Sequence, residues 1–284
     1  MTTAPSGSSG MDGENGWKST AGQHWVQHED RHDRMLASLT SRLMSTAGIS
    51  GTDKILDIGC GCGETSRIAA RQAADGEVLG VDISAPMLAR ARVRAEEEGL
   101  ANLRFEEADA ATAQLPDAYY DLVLSRFGVM FFDDARAAFE NISRSLRPGG
   151  RLAFLCWQEV MQNEHIVVPF SVLAAHAPVP DIGGPDAPGP FSLADPERIR
   201  ELLNDAGCTD IKIEPLHERL RLGADVPDAL AYFSEHPAAS SSITAMDEAT
   251  LAKVADELAE AIRPYQTPEG VFFGSAAWLV TARR

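Results

Sequence analysis

The sequence has little basic charge and no long apolar run. It carries 25 Lys and Arg against 42 Asp and Glu, a formal net charge of -17 at pH 7. That balance repels a polyphosphate backbone, and no basic stripe interleaved with aromatic residues offsets it, so nucleic acid is not expected as a partner. No segment approaches the roughly 20 apolar residues of a membrane span, so stable membrane insertion is not expected either.

Cysteine is scarce as well. Cys60, Cys62, Cys156 and Cys208 form neither a C-x-x-C pair nor the spacing of a disulfide framework, so we expect reduced thiols. No histidine or further cysteine lies at zinc spacing from the first two, so no metal site is predicted and all four are interpreted as packing residues. The N-terminus lacks the basic start and apolar core of a signal peptide, and a cytoplasmic location is the expectation.

What is present is the composition of a globular protein, with 44% hydrophobic and 24% charged residues in a chain of 284. Residues 1–16 are mostly Gly, Ser and small polar residues and are predicted to be a disordered tail. Apolar residues then recur at three- and four-residue spacing, which predicts an N-terminal helical cap over residues 17–50. Residues 51–284 are predicted to form one domain with insertions at about 158–193 and 223–268.

Short apolar runs alternate with helix-length amphipathic runs from residue 54 to residue 157. KILDI, EVLGVD, LRFEEAD, YYDLVLS and RLAFLCW predict five strands. This alternation predicts an α/β fold with a parallel sheet. Prolines recur from Pro169 to Pro190, so the first insertion is predicted to be loop-rich, whereas Asp195 followed by Pro196 predicts the start of a helix. Residues 210–222 and 271–282 are predicted strands, and residues 227–263 are predicted to be mostly helical.

The segment ILDIGCGCGET ends a predicted strand at Asp57 and turns through Gly59, Gly61 and Gly63 into a helix. Glycines let the backbone approach a ligand closely, and the N-terminus of the helix offers free amide groups. The segment therefore predicts a ligand-binding loop, although a glycine run of this kind can also be only a turn.

Acidic side chains end three successive strands at one predicted edge of the sheet. Asp82 can accept hydrogen bonds from both ribose hydroxyls of a bound nucleoside, and Asp109 ends the third strand; each could instead be a helix cap or turn residue. With Asp57 they add negative charge where a pyrophosphate would need donors. A cationic, phosphate-free nucleoside such as S-adenosylmethionine suits this edge better.

Five stretches resemble the class I S-adenosylmethionine-dependent methyltransferases, in particular their bacterial small-molecule group. They are ILDIGCGCG, GVDISAPMLARAR, the Asp109-Ala110 pair, YDLVLSRFGVMFFDD and SRSLRPGGRLAFLCW, which cover about residues 54–157 in the family's order. The resemblance implies a Rossmann-like, seven-stranded methyltransferase sheet whose last strand is antiparallel, with the helical cap and lid insertions over it. It also implies S-adenosyl-L-methionine as the cofactor.

The resemblance further implies roles for single residues. It places the methionine end of the cofactor on Asp57 and Gly59, the ribose on Asp82 and the adenine edge on Asp109. The full set of implied cofactor-binding residues is Asp57, Gly59, Gly61, Gly63, Asp82, Ile83, Asp109, Ala110, Ser125 and Arg126.

Methyl transfer depends mainly on aligning nucleophile, methyl group and sulfur, but a base helps when the acceptor must lose a proton. The candidate bases are His165, just after the fifth strand, and His28 and His24 on the N-terminal helix; each could instead be structural. The candidate substrate-binding residues, each of which could equally be core, are Trp25, Phe127, Met130, Trp157, Phe170 and Phe191. If they line a pocket, the acceptor is a small, partly aromatic or apolar metabolite.

The sequence therefore predicts methyl transfer to a small-molecule acceptor, in a tailoring step of bacterial natural-product biosynthesis. A lipid or quinone methyltransferase is the alternative in the same class. An NAD-dependent oxidoreductase is opposed by the glycine spacing, with Ser66 in place of a later glycine. A non-catalytic cofactor-binding regulator stays open, as do the acceptor's identity, the methylated atom and the oligomeric state, a homodimer included.

Overall fold

A computed structural model describes residues 14–178, 184, 187–244 and 246–284. Residues 1–13 of the predicted tail and residues 179–183 and 185–186 of the first predicted insertion lie outside this part. The first helix begins at Glu14, inside the predicted tail. It ends at Trp17, whose ring packs edge-on against Trp25 and Phe131, so aromatic contacts give this segment the apolar anchor that its composition did not show.

One sheet organises the fold. Its strands are β1 (Lys54–Ile58), β2 (Glu77–Asp82), β3 (Leu103–Glu107), β4 (Tyr120–Arg126), β5 (Leu146–Trp157), β6 (Thr209–Gly223), β7 (Gln266–Thr267) and β8 (Gly270–Arg283). The spatial order is β3-β2-β1-β4-β5-β8-β6, with the short β7 beside β8. The first five strands are parallel, and β8 is antiparallel to both of its neighbours. The predicted seven-stranded sheet is therefore confirmed, and β7 is an addition to it.

Helices cover both faces of the sheet. They are α1 (Glu14–Trp17), α2 (Thr20–Gln27), α3 (Glu29–Ala47), α4 (Glu64–Gln72), α5 (Ala85–Glu97), α6 (Ala135–Ser145), α7 (Glu164–Ala174), α8 (Pro196–Asp205), α9 (Val226–Glu235), α10 (Pro237–Thr244) and α11 (Glu248–Ile262). The predicted start of α8 is confirmed, because the Asp195 carboxylate accepts a hydrogen bond from the Glu197 amide. Within the described ranges, no helix is both long and apolar enough to cross a bilayer.

The strands are apolar because helices bury them from both sides. On one face, α3, α4 and α5 contribute Leu39, Ala69 and Leu88 to the core. On the other face, α6 and α8 contribute Phe139 and Ile199. Parallel strands covered in this way carry continuous apolar runs, which explains why the strand positions could be recognised in the sequence.

Part of the first insertion, which was predicted to be loop-rich, is helical. Helix α7 runs through Pro169, and its apolar face meets α9, α10 and α11 of the second insertion. Leu173, Phe233, Val254 and Leu258 form a small core of their own there. Helix α7 was not predicted because proline was taken as a break, whereas packing offsets its cost of about 3 kcal/mol inside a helix. The described residues 187–193 of the same insertion form turns and irregular structure. We call α7, α9, α10 and α11 the lid.

Helices α2 and α3 form a cap that one buried acid fixes to the sheet. Glu29, at the start of α3, is 3% exposed. Its carboxylate pairs with Arg90 and Arg94 on α5, the latter at 3.3 Å, and lies 3.8 Å from Arg67 on α4. Because a buried charge that loses its partners is costly, this cluster holds the cap in one position.

The glycine loop after β1 touches the segment after β4 by direct backbone contact. A Cβ at Gly59 would lie 2.6 Å from Gly128 Cα, and Gly59 has a φ of +64°. Below this contact, the Ser125 hydroxyl donates to the Ile58 carbonyl at 2.7 Å and accepts from the Gly128 amide at 3.1 Å. The two loops therefore form one continuous wall.

We expect Gly59→Ala to lower the free energy of unfolding by roughly 3 kcal/mol or more, about 1–2 kcal/mol for the left-handed backbone and the rest for overlap with Gly128. Gly99→Ala is the matched control, because Gly99 has a φ of +67° and no heavy atom within 4 Å of an added Cβ. Urea unfolding of both variants measures the difference. Equal losses would show that the contact with Gly128 does not constrain the loop.

Candidate active site

A cavity of about 450 Å³ opens between the carboxyl ends of the parallel strands, the cap and the lid. Seven of the predicted cofactor residues line it: Gly59, Gly61, Asp82, Ile83, Asp109, Ala110 and Arg126. All six predicted substrate residues line it too, namely Trp25, Phe127, Met130, Trp157, Phe170 and Phe191. The structure therefore brings the two predicted sets together around one space, with His165 beside them.

Three predicted cofactor residues lie beneath the cavity surface instead. Asp57 is fully buried, and its Oδ2 accepts hydrogen bonds from the hydroxyls of Thr65 at 2.7 Å and Ser66 at 2.5 Å. Ser125 is fully buried under the Gly59–Gly128 contact. A Cβ at Gly63 would meet the Phe105 ring at 2.8 Å, so this glycine serves packing. Side chains alternate along a strand, which turns those of Asp57 and Ser125 away from the cavity. All three residues lie next to the loop without lining the cavity.

Asp82 and Asp109 order the loops in which they lie, which is one of the two roles that the sequence left open, and both line the cavity. Asp82 Oδ2 accepts from the Gly61 amide at 2.8 Å and Oδ1 accepts from the Ser84 amide at 2.9 Å. Asp109 accepts from the Ala111 amide at 2.9 Å and from the Thr112 hydroxyl at 3.1 Å. Since a carboxylate has about four lone-pair sites, both residues order their loops and still have acceptor capacity toward the cavity.

The one basic side chain predicted at this edge of the sheet, that of Arg126, is already paired with acidic side chains. Arg126 donates to Glu64 and, at 2.7 Å, to the Thr40 hydroxyl, and its guanidinium lies 3.5 Å from Asp33 Oδ1. Burial raises the pKa of Asp33 to about 6. Asp33 and Glu64 both line the cavity. Sequence reasoning missed them, because neither ends a strand.

The charges at this edge fit a cationic ligand. Among the described residues that line the cavity, Arg126 is the only Lys or Arg. The acidic lining residues are Asp33, Glu64, Asp82, Asp109, Asp133 and Asp134. A pyrophosphate would find few free donors here, whereas an ammonium or sulfonium group would be attracted. Burial also leaves Asp57 Oδ1 without a hydrogen-bond partner in the described part of the chain. S-adenosylmethionine, which has both cations and no phosphate, fits these residues.

The other half of the cavity is aromatic and uncharged. Phe127 has a φ of +66° and stacks on Trp157, with ring centroids 4.0 Å apart. The Trp157 ring centroid lies 5.1 Å from that of His165. Burial lowers the pKa of His165 to about 4, and its Nδ1 has no hydrogen-bond partner within the described residues. At neutral pH this imidazole is therefore uncharged.

The other two candidate bases, His24 and His28, do not line this cavity. Their rings, with centroids 4.4 Å apart, belong to a cluster that also contains His32 and His236. The first three come from the cap, and His236 follows α9 of the lid. Direct action of His24 or His28 on an acceptor in this cavity is thus not supported by their position, and we call the four residues the histidine cluster.

Burial keeps most of the histidine cluster uncharged. It lowers the pKa of His24 and of His236 to about 4 and that of His32 to about 3, and the neighbouring imidazoles lower these values further. No set of three or more metal-ligating side chains with suitable geometry occurs in the described part of the chain. His24, His32 and His236 therefore form an uncharged contact between cap and lid at neutral pH.

Two members of the histidine cluster, His32 and His236, were not predicted from the sequence, although a four-residue spacing could have indicated them. His24, His28 and His32 recur at four-residue spacing, which places them on one helical face. Tyr232 and His236 share that spacing at the end of α9. Their contact with the cap was not visible, because periodicity shows which residues share a face but not which face it meets.

The cysteines behave as predicted packing residues. Cys60 and Cys62 are 6% and 5% exposed, and Cys156 and Cys208 are buried as well. Burial raises the pKa of all four thiols, that of Cys62 to about 12. At neutral pH they are protonated and poor nucleophiles.

Comparison with known proteins identifies the family. Residues 55–150 match the family described as "Methyltransferase domain". The chain is 33% identical over 175 residues to the ubiquinone/menaquinone biosynthesis C-methyltransferase UbiE of Chromobacterium violaceum, covering 58% of this chain and 70% of that protein. It is 32% identical over 146 residues to the aklanonic acid methyltransferase DauC of a Streptomyces species, covering 50% and 66%.

A further relative and a solved structure are also similar to this chain. The uncharacterised protein Rv1405c of Mycobacterium tuberculosis is 34% identical over 125 residues, and the match spans 44% of each protein, so this chain covers less than half of that relative. The fold is similar to that of the YcgJ protein from Bacillus subtilis, with a TM-score of 0.59, 18% identity and coverage of 87% of this chain and 98% of the other. The chain belongs to the class I S-adenosylmethionine-dependent methyltransferases.

The histidine cluster predicts how acid destabilises the protein. The folded pKa of His24, about 4, lies below its ordinary value of 6.5. Between these values the unfolded chain binds a proton that the folded chain does not, so the free energy of unfolding falls as pH decreases from 6.5 to 4. We expect His24→Gln to reduce this pH slope by about one proton, roughly 1.4 kcal/mol per pH unit.

Urea unfolding at several pH values between 4.5 and 7 measures the slope, with the exposed His217→Gln as control. Asp33 and Asp57, whose pKa values burial raises to about 6, act in the opposite direction. The comparison of variant with wild type is therefore the informative quantity. An unchanged slope would mean that His24 is hydrated in the folded protein.

Proposed function

We propose that this protein transfers a methyl group from S-adenosylmethionine to a neutral, planar, largely apolar small molecule. The observation that carries the proposal is the division of one cavity into two halves. Carboxyl groups around the glycine loop form one half, and uncharged aromatic side chains form the other. A volume of about 450 Å³ lies within the usual range of small-molecule sites.

The charge distribution supports a neutral acceptor. Arg126, the only Lys or Arg among the described lining residues, is engaged by Glu64 and Asp33 on the cofactor side. No free cation therefore faces the aromatic half within the described part of the chain, and a phosphorylated or carboxylated acceptor would be desolvated there without a partner. Uncharged rings lose little on entering this half.

The residues of the aromatic half have separate tasks. S-adenosylmethionine, when bound, supplies an activated methyl group, so the protein has to orient the acceptor, exclude water and manage one proton. The stacked pair Phe127 and Trp157 provides a flat wall for a planar acceptor. The lid, through Phe170 and Phe233, whose ring centroids are 5.6 Å apart, covers this wall and limits the access of water.

His165 is positioned to hold the proton that the acceptor loses. Burial lowers the pKa of this imidazole and the Gly274 backbone raises it; because the Gly274 N–H group donates to Glu164 at 2.7 Å, the carbonyl is the group that acts on the ring. Since Nδ1 is buried without a partner in the described part of the chain, and buried N–H groups without an acceptor are rare, we assign the ring N–H group to Nε2. The Nδ1 lone pair is then free to accept a proton from an O–H, N–H or acidic C–H group.

The names of two relatives suggest classes of acceptor but do not identify the acceptor of this protein. One is named for ubiquinone and menaquinone biosynthesis and another for methylation of aklanonic acid. A tailoring step in natural-product biosynthesis is our proposal, and a quinone precursor is the alternative that the first relative favours. The proposed partner is this small molecule and not nucleic acid; a cytoplasmic location and a homodimer stay predictions.

Calorimetric titration tests the cofactor. We expect S-adenosylhomocysteine to bind and NADH not to bind, and we expect Asp82→Ala to weaken S-adenosylhomocysteine more than about tenfold, because hydrogen bonds to a charged group are lost. Asp75→Ala, the same change in an exposed loop at the opposite edge of the sheet, is the control. Binding of NADH alone would overturn the methyltransferase assignment.

Replacement of His165 tests its role. We expect His165→Ala to reduce methyl transfer by roughly 100-fold or more, the usual contribution of a positioned base, while the affinity for S-adenosylhomocysteine changes little. Transfer to a panel of neutral hydroxyaromatic acceptors, followed with radiolabelled donor, measures turnover, and the exposed His217→Ala is the control. Undiminished turnover in His165→Ala would remove this residue from the mechanism.

A further inference from the structure

Tyr232 lines the cavity in a way that no role described so far requires. It lies on α9 of the lid and is 6% exposed. Its hydroxyl is 2.7 Å from Nε2 of His32, a fully buried residue of the cap. Trp25 stacks on the His32 ring, with centroids 3.8 Å apart and planes inclined by 19°, which fixes the orientation of the imidazole.

The hydrogen bond has a direction that can be assigned. His32 is neutral, because burial lowers its pKa to about 3, so its ring carries one N–H group. Its Nδ1 is buried without a partner in the described part of the chain. Since buried N–H groups without acceptors are rarer than under-used acceptors, the proton belongs on Nε2. His32 then donates to the Tyr232 oxygen, and the Tyr232 O–H group is left to donate into the cavity.

Burial and one neighbouring residue favour donation by Tyr232. Burial raises the pKa of its phenol well above the usual range, so the proton stays on the oxygen at neutral pH. The Arg31 guanidinium lies 4.6 Å from the centre of the Tyr232 ring, and this positive charge makes the phenol a better donor.

Tyr232, His165 and His236 all line the cavity. The His236 ring centroid lies 6.3 Å from that of Tyr232. A fixed donor at Tyr232 and a fixed acceptor at His165 Nδ1 thus share the uncharged half, where each would be costly to leave without a partner.

We infer that Tyr232, oriented by His32, donates a hydrogen bond to a carbonyl oxygen of the acceptor, which makes the substrate a neutral cyclic compound with a carbonyl group and an ionisable hydrogen. This inference rests on the proposed function. Loss of the ionisable proton to His165 places negative charge on the conjugated carbonyl oxygen, and a donor already aimed at that oxygen stabilises it. Tyr232 is then a specificity residue that touches the substrate, and His32 is the positioning residue behind it.

A matched pair of small molecules tests the inference without any methyl donor. 1-Tetralone and tetralin share one bicyclic skeleton, and only the first has a carbonyl group. We expect the wild-type protein, saturated with S-adenosylhomocysteine, to bind 1-tetralone roughly three- to tenfold more tightly than tetralin in calorimetric titration, the contribution of one neutral hydrogen bond. Tyr232→Phe is expected to abolish this preference and leave the affinity for tetralin unchanged.

The infrared carbonyl stretch of bound 1-tetralone gives a readout that a structural role would not move. We expect a shift to lower wavenumber in the wild type and in the control Tyr119→Phe, which alters an exposed hydroxyl far from the cavity, and no such shift in Tyr232→Phe. Because that variant leaves His32 unpaired, the double variant Tyr232→Phe with His32→Leu replaces both polar partners by apolar groups, a change that is often nearly neutral for stability.

Each outcome is decisive. Equal affinity for the two compounds in the wild type, or a carbonyl preference that survives in Tyr232→Phe, would overturn the inference. Failure of both compounds to bind would overturn it as well, because the aromatic half would then not accept neutral rings. Failure to bind S-adenosylhomocysteine would instead count against the proposed function, so the two failures are distinguishable.

Discussion

The backbone contact between Gly59 and Gly128 is the constraint on which the site depends. It brings the loop after β1 against the segment after β4, at a separation that leaves no space for a side chain on either residue. Phe127, next to Gly128, is thereby held with a positive φ and turned toward Trp157. The carboxylate-lined half and the aromatic half of the cavity meet at this contact. Ser125 supports it from below through hydrogen bonds to Ile58 and Gly128, and Asp57 joins the end of β1 to the start of α4 through Thr65 and Ser66.

Much of the fold and about half of the site could be predicted from the sequence. Strands buried on both faces are continuous apolar runs, and the acids that end them share an edge, which was enough to place Asp82 and Asp109 beside the glycine loop. The failures have physical causes. Asp57 also lies near the end of a strand, but its side chain points under the loop and away from the cavity. Helix α7 forms despite Pro169 because it packs against helices of a different insertion, and this packing could not be recognised in the sequence. Contacts between distant segments, such as His32 with Tyr232, leave no local pattern.

Ionised side chains and uncharged polar side chains lie in different parts of the cavity. Ionised groups are concentrated where a cationic nucleoside would lie, while the polar groups of the aromatic half, His165, His236 and Tyr232, are all uncharged at neutral pH because of burial. Hydrogen bonds in so apolar a space are stronger than in water, and unpaired donors or acceptors are correspondingly costly. Selection of an acceptor in such a site therefore depends on matching a few directed bonds rather than on attracting a charge.

The lid has a consequence for folding. Its small core joins α7 to α9 and α11, and the contact between His176 and Glu257 links residues 81 positions apart. The chain between the two insertions forms α8 and β6, and β6 pairs with β8, close to the C-terminus. Closing such long loops costs conformational entropy that is recovered only once the sheet is in place. We therefore expect the lid to consolidate last and to open first, as a unit of low local stability over the more stable central sheet.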